Sequence, residues 1–348
     1  MGAGCGTLVA VVSNRRRNVT AITLAGLIVL LAGAALMIGP YPLSLGDAVS
    51  LMWSRLTGQG GVETAAGQVL FSIRLPRVLA ALLVGGALAA AGACYQSLFR
   101  NPLVSPDILG VSAGAGLGAV LGIFLSLPVA AIQLSAFVGG LVAVGAVGLV
   151  ASAVRGRDTV LVLVLAGVVI GALAGAMTSL LKVMADPYDQ LPAITFWLLG
   201  SLAAVQAGDV LAVLPAVLVG LVPMILLRWR IHVLALGDEE AKSLGIDAGP
   251  LRIGVIVCAT LMTASVVSIA GVIGWVGLVM PHIARMLVGP AFGILLPVAT
   301  LLGAVYLLAT DTLARTLTAT EIPLGILTAV IGAPFFLWLL WRGRRGWA

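Results

Sequence analysis

Charge is what this sequence has least of. Of 348 residues, 9% are Asp, Glu, Lys or Arg, against 61% hydrophobic. A chain so poor in charge cannot clothe water-soluble domains, and no gap between its apolar runs is long enough to hold one. Acidic residues are missing from the middle of every apolar run: Asp107, Asp209, Asp311 and Glu321 all fall near run ends. Proton-coupled carriers need buried carboxylates as relays, so that mechanism is disfavoured. The phosphate loop G-x-x-x-x-G-K-[ST] is absent too, so any ATP that drives this protein must bind a separate subunit. The three cysteines, Cys5, Cys94 and Cys258, are odd in number and have neither metal-ligand nor redox spacing. Two scattered histidines, His232 and His282, do not make a metal site. No nucleophile–base–acid set is visible, so no catalytic residue, bound cofactor or metal is assigned. A net charge of +6 would suggest nucleic acid in a soluble protein; here the positive-inside rule accounts for it and no nucleic-acid partner is expected.

What remains is an all-α polytopic membrane protein. Ten apolar runs fit spans of membrane length, near 19–39, 76–99, 109–126, 128–153, 159–184, 208–227, 250–272, 275–288, 291–312 and 322–341. The first follows Arg15-Arg16-Arg17 and is longer than the core of a secretory signal, so it reads as an uncleaved membrane helix. The division is a cytoplasmic tail at 1–18, one transmembrane domain at 19–341 and a basic cytoplasmic tail at 342–348. With the N-terminus in the cytoplasm, Arg15, Arg16, Arg17, Arg100, Arg155, Arg157, Arg228, Arg230, Lys242, Arg252, Arg285, Arg342, Arg344 and Arg345 are all cytoplasmic. These are fourteen of the nineteen basic residues. Both termini then face the cytoplasm of the cell's inner (plasma) membrane.

One stretch reads unlike the rest. Five charges, four of them acidic, fall between Asp238 and Asp247, with apolar runs on both sides. Asp238 suits an N-cap, Glu239 and Glu240 suit the positive end of a helix dipole, and Gly245 suits a left-handed stop. Ala241 and Leu244, three residues apart, can share one side. The spacing predicts a helix of under two turns, too short to stand alone. It is either a solvated loop or a coupling helix that docks into a partner.

The basic exceptions are Arg55, Arg74, Arg77, Lys182 and Arg315. Arg74, Arg77 and Arg315 sit at the outer ends of predicted helices. Their spacing leaves open interfacial snorkelling or a docking surface for an acidic partner. Small residues recur at helical spacing, as Gly167, Gly171 and Gly175 and as Ser112, Gly114, Gly116 and Gly118. Close packing is the first explanation and a smooth passage the second. A shift of 179 residues carries Gly92, Pro102, Gly110 and Gly114 onto Gly271, Pro281, Gly289 and Gly293, which hints at an inverted internal repeat.

Arg74-Leu75-Pro76-Arg77, Asn101-Pro102-Leu103, Leu109-Gly110-Val111-Ser112-Ala113-Gly114-Ala115, the island at 237–245, Gly274 to Arg285, and Glu321-Ile322-Pro323-Leu324-Gly325 followed by Gly332-Ala333-Pro334 together carry a resemblance. They resemble the permease family of bacterial ABC importers for iron–siderophores, haem and cobalamin, from about residue 19 to 341. The resemblance implies a type II importer fold of ten helices and a homodimer with its passage on the axis. It also implies two ATP-binding-cassette subunits holding ATP and Mg, and a periplasmic or lipid-anchored substrate-binding protein outside. It implies that Arg74, Arg77 and Arg315 dock that binding protein, and that Asn101 and Leu103 close the cytoplasmic gate. Gly237, Asp238, Glu239, Glu240, Ala241, Leu244 and Gly245 would engage the ATPase. Two departures stand out: Gly289-Pro290-Ala291 where family members carry Asp-His-Arg after the glycine, and Trp275 where Phe is usual. The function implied is import of a metal chelate, a ferric siderophore or haem. Cobalamin or an oxyanion such as molybdate or tungstate is the alternative, the latter suggested by the segment Asp186 to Pro192. The rival of another class is an ATP-independent secondary carrier.

Overall fold

A computed structural model describes residues 3–58, 63–154, 159–318 and 320–342. The basic residues Arg155, Arg157, Arg344 and Arg345 lie outside the described residues, as does nearly all of the 342–348 tail, and the side chains of the 1–18 tail are not described either. Among the described residues every regular element is a helix. This follows from the solvent: hydrocarbon offers no hydrogen bonds, so each span must satisfy its own backbone.

All ten apolar runs contain a helix. They are α1 (Ala3–Met37, apolar from Val19), α4 (Leu75–Leu98), α5 (Val111–Phe124), α6 (Val129–Ala153), α7 (Thr159–Met184), α9 (Ala207–Leu226), α12 (Ala248–Ala270), α13 (Val276–Val288), α14 (Phe292–Ala314) and α15 (Leu324–Arg342). Four shorter helices were not foreseen as elements: α2 (Leu45–Leu56), α3 (Ala65–Gln68), α8 (Gln190–Leu199) and α10 (Arg228–Leu234). The island forms α11 (Asp238–Ser243), a helix of under two turns as its spacing predicts. The start of α2 is built by Ser44, whose hydroxyl accepts from Asp47 N while the Asp47 carboxylate accepts from Ser44 N, both at 3.1 Å. A six-residue π-helical turn, Val69–Arg74, joins α3 to α4, so the chain runs as one helix of 34 residues from Ala65 to Leu98.

Three spans form the interior. The Ala65–Leu98 helix is 83% buried over its apolar window, α12 72% and α14 50%, whereas α1, α6, α7 and α9 reach 17–28%. Their crossings are backbone to backbone. A methyl group on Gly85 of α4 would stand 2.2 Å from Gly303 O of α14, and one on Gly92 would stand 1.9 Å from Gly277 O of α13. Helices α5 and α6 meet the same way, Gly114 against Gly139 and Gly118 against Ser135. Packing therefore explains the small residues of α5. It also explains Gly167, which abuts Ile108 O, but not Gly175, around which space is open.

The order long, short, long, long occurs twice, as α4 to α7 and as α12 to α15. Four spans separate α4 from α12, counting α5, α6, α7 and α9, so α12 starts from the opposite side and the two sets are inverted. The 179-residue register is corrected. Gly92 lies inside α4 while Gly271 follows the end of α12, and Gly110 precedes α5 while Gly289 follows α13. Glycine abundance, not descent in that register, produced the match.

Gly85→Ala is expected to lower stability in detergent by about 1–3 kcal/mol through overpacking. Gly145→Ala on α6, with open space around it, is expected to be neutral or to gain up to about 1 kcal/mol of helix propensity. Unfolding midpoints of the purified protein read both.

Candidate functional site

The polar chemistry gathers at the two ends of the bundle. At the end opposite the island, Arg77 of α4 is clamped between two carboxylates. Its Nε lies 2.9 and 3.0 Å from the two oxygens of Asp311 on α14, its Nη2 lies 2.9 Å from Oδ1, and its Nη1 lies 2.8 Å from Glu321 Oε1. Asp311 is fully buried and sits in the last turn of α14. So the buried acid of this chain is held by a guanidinium and is not a free relay.

Arg74 and Arg315 serve a different element. Arg74 donates from Nη1 to Leu36 O at 2.7 Å and Met37 O at 3.0 Å, and from Nη2 to Tyr41 O; Arg315 donates to Ala35 O. The last carbonyls of a helix lack partners within it, and these two side chains supply them for α1. Arg74, Arg77 and Arg315 are 3%, 6% and 7% exposed. In this conformation they form no free cationic surface; the charge that does reach solvent here is Glu321, whose side chain is 41% exposed. Sequence reasoning saw Asp311 and Glu321 at helix ends but did not pair them with the arginines.

At the island end, α10 and α11 stack under α12. Two details of the island differ from expectation. Asp238 is not the N-cap. Gly237 occupies that position without a side-chain cap, and Asp238 instead accepts from Arg252 Nη2 at 2.8 and 3.0 Å. Ala241 and Leu244 do not share a side: Ala241 is fully buried and Leu244 is 55% exposed. The reason is the stop. Gly245 turns at φ +74°, and Ile246 N returns to Ala241 O at 2.9 Å, which brings Ile246 inward in place of Leu244. The outward face is thus Glu239, Glu240 and Leu244, beside a groove of about 500 Å³ lined by Leu227, Trp229, Arg230, Leu244 and Leu251.

The segment after α4 is the other part of this end. Asn101 N donates to Gln96 O at 3.1 Å and Arg100 N to Ser97 O at 3.3 Å, the paired bonds of a Schellman stop. Asn101 Oδ1 then accepts from Leu103 N at 2.9 Å and Leu103 is 39% exposed. So Asn101 turns the chain and Leu103 is presented. The chain continues to Asp107, which accepts from the Ser112 and Ser105 hydroxyls. Trp275, in the family's usual Phe position, starts α13 with a left-handed φ of +70° and packs its ring on Phe336 and over Gly332. Among the described residues no three His, Cys, Asp or Glu side chains gather as metal ligands.

Among the described residues charge gathers near the ends of an inverted-repeat helical bundle with membrane-length apolar helices, the architecture of a membrane permease subunit. The FecCD transport family model matches residues 8–342, and the chain belongs to that family of ABC-transporter permeases. It is 40% identical over 320 residues, 92% of this chain and 94% of the other, to the molybdate import system permease protein MolB of Haemophilus influenzae. It is 44% identical over 276 residues to a probable iron chelatin transport system permease protein of Helicobacter pylori, covering 79% and 83% of the two chains. The hemin transport system permease protein HmuU of Yersinia pestis is 38% identical over 91% of this chain and 94% of its own. A metal-chelate type ABC transporter solved in an inward-facing conformation superposes with a TM-score of 0.83 at 38% identity, over 92% of this chain and 98% of that one.

Asp311→Ala is expected to cost about 3 kcal/mol, because it leaves the buried Arg77 guanidinium with Glu321 as its one carboxylate partner. Removing both charges, as Arg77→Met with Asp311→Leu, is expected to recover most of that loss. Thermal unfolding in detergent of the single and double variants distinguishes the two outcomes.

Proposed function

We propose that this chain is the membrane subunit of an ATP-driven importer, working as a pair. In this reading it carries a metal chelate, an iron chelate or haem, inward across the plasma membrane by alternating access. The observation that carries the proposal is the island. Its acidic, half-apolar outer face is built on a helix too short to persist unaided, anchored through Ala241 and the Asp238–Arg252 pair. Such a part gains a purpose if a separate ATP- and Mg-binding subunit grips it. The absence of a phosphate loop in this chain fits the same division of labour. In this reading the island side, where Arg100, Arg228, Arg230, Lys242, Arg252 and Arg285 gather, is the cytoplasm by the positive-inside rule, and Asn101 and Leu103 form the inner gate. The outside binding protein then docks on the rim that Arg74, Arg77 and Arg315 hold in shape, not on free guanidinium groups.

A second reading of the cargo is an oxyanion such as molybdate. It is favoured by the relative that matches 92% of this chain and by the exposed outer segment Asp186-Pro187-Tyr188-Asp189, in which Tyr188 is 92% exposed. An ATP-independent carrier has less support, since Asp311 is neutralised by Arg77.

Co-purification from the native host should retain a nucleotide hydrolase, and Glu239→Lys with Leu244→Asp should release it while leaving the permease folded. A permease that never retains a hydrolase would remove the proposal. Titrating the associated binding protein with ferric chelates, haem and molybdate separates the cargo readings. Leu103→Ala should raise the leak of a small dye from vesicles that contain the complex; vesicles as tight as the parent's would remove Leu103 from the gate.

A further inference from the structure

Arg100 stands where a helix normally ends in glycine. It is the left-handed residue of the Schellman stop, with φ +51°, a conformation that disfavours side chains and suits glycine. Nothing local requires a side chain there, so the arginine must serve a purpose elsewhere.

Its guanidinium reaches the island. A methyl group placed on Gly237 would lie 3.7 Å from Arg100 Nη1 and 2.0 Å from Glu240 Oε2. The Arg100 guanidinium and the Glu240 carboxylate therefore both close on the same glycine, without a direct ion pair between them. This also accounts for Gly237, whose φ of +153° is one that side-chain-bearing residues rarely adopt.

The two residues that follow cannot bend. Asn101 precedes Pro102 and is barred from the right-handed helical region, and Pro102 has its own φ fixed. The Asn101 side chain is further tied to Leu103 N. From Arg100 to Pro102, Arg100 is the residue held at a left-handed φ and the one whose φ no proline restricts. Leaving the left-handed well would open the Schellman bonds to Gln96 O and Ser97 O, so the stop has two discrete arrangements, and a displacement of α11 acting on the Arg100 guanidinium can select between them and set where Leu103 points.

We propose that Arg100 is the positioning residue that carries movement of α11 to the gate segment Asn101–Leu103. The inference rests on the reading of α11 as the seat of the motor and of 101–103 as the gate. Its test uses the whole permease–hydrolase complex in nanodiscs, with the three native cysteines replaced and Leu103→Cys as reporter, and needs no cargo. The rate at which a water-soluble maleimide labels position 103 is measured with and without Mg-ATP. With Arg100 present, ATP is expected to change that rate on the order of tenfold. In Arg100→Gly the rate is expected to become insensitive to ATP, although glycine suits the left-handed well and the unfolding midpoint should hold or rise. Arg100→Lys keeps the charge and should keep much of the response. An undiminished response in Arg100→Gly would overturn the role of Arg100 while leaving the importer reading intact. An assembled complex with Arg100 whose labelling ignores ATP would overturn both this inference and the gate assignment.

Discussion

Helix α4 touches its neighbours without side chains in between. At Gly85 and Gly92 its backbone meets the carbonyls of Gly303 and Gly277, too close for even one methyl group. In lipid, the hydrophobic effect does not drive helices together, so dispersion between tightly apposed backbones must. The rest of the molecule depends on that closeness. It sets α4, α13 and α14 in one register and so decides which residues meet at each end.

The far end shows the consequence. With α4 and α14 antiparallel and fixed at Gly85–Gly303, Arg77 arrives opposite Asp311 and Arg315 opposite the end of α1. Burying three guanidinium groups would be prohibitive alone. Here each has partners: two carboxylates for Arg77 and the open carbonyls of α1 for the others. That helix is among the least embedded, and its attachment rests in good part on these bonds. A role outside and a role in the fold are not exclusive, but the structural one is visible in this conformation.

The island end is the softer one. Its parts are short helices, exposed charges and a non-glycine residue in a glycine conformation. Energies of this size, about a kilocalorie per mole each, are small enough for a partner to shift. Stiffness at one end and compliance at the other suit a machine worked from one side. Between the two ends, Gly175 stands in open space and is not explained by packing.

Hydropathy and spacing determined the ten apolar runs that bear helices, seven of the described helices being long and apolar enough to cross a membrane, and also the acidic island and the glycine stop at Gly245, because each depends on residues near in sequence. The capping box at Ser44–Asp47 was equally legible and went unread, as did the shallow helices α2, α8 and α10, which carry no membrane-length run. Tertiary structure alone decided the partners: Arg77 with Asp311 across 234 positions, Arg252 with Asp238, Leu244 outward and Ile246 inward. Helix periodicity says which face a residue takes, but not which neighbour waits there. That is settled only when backbones come within contact distance, and in this chain glycine placement governs where they do.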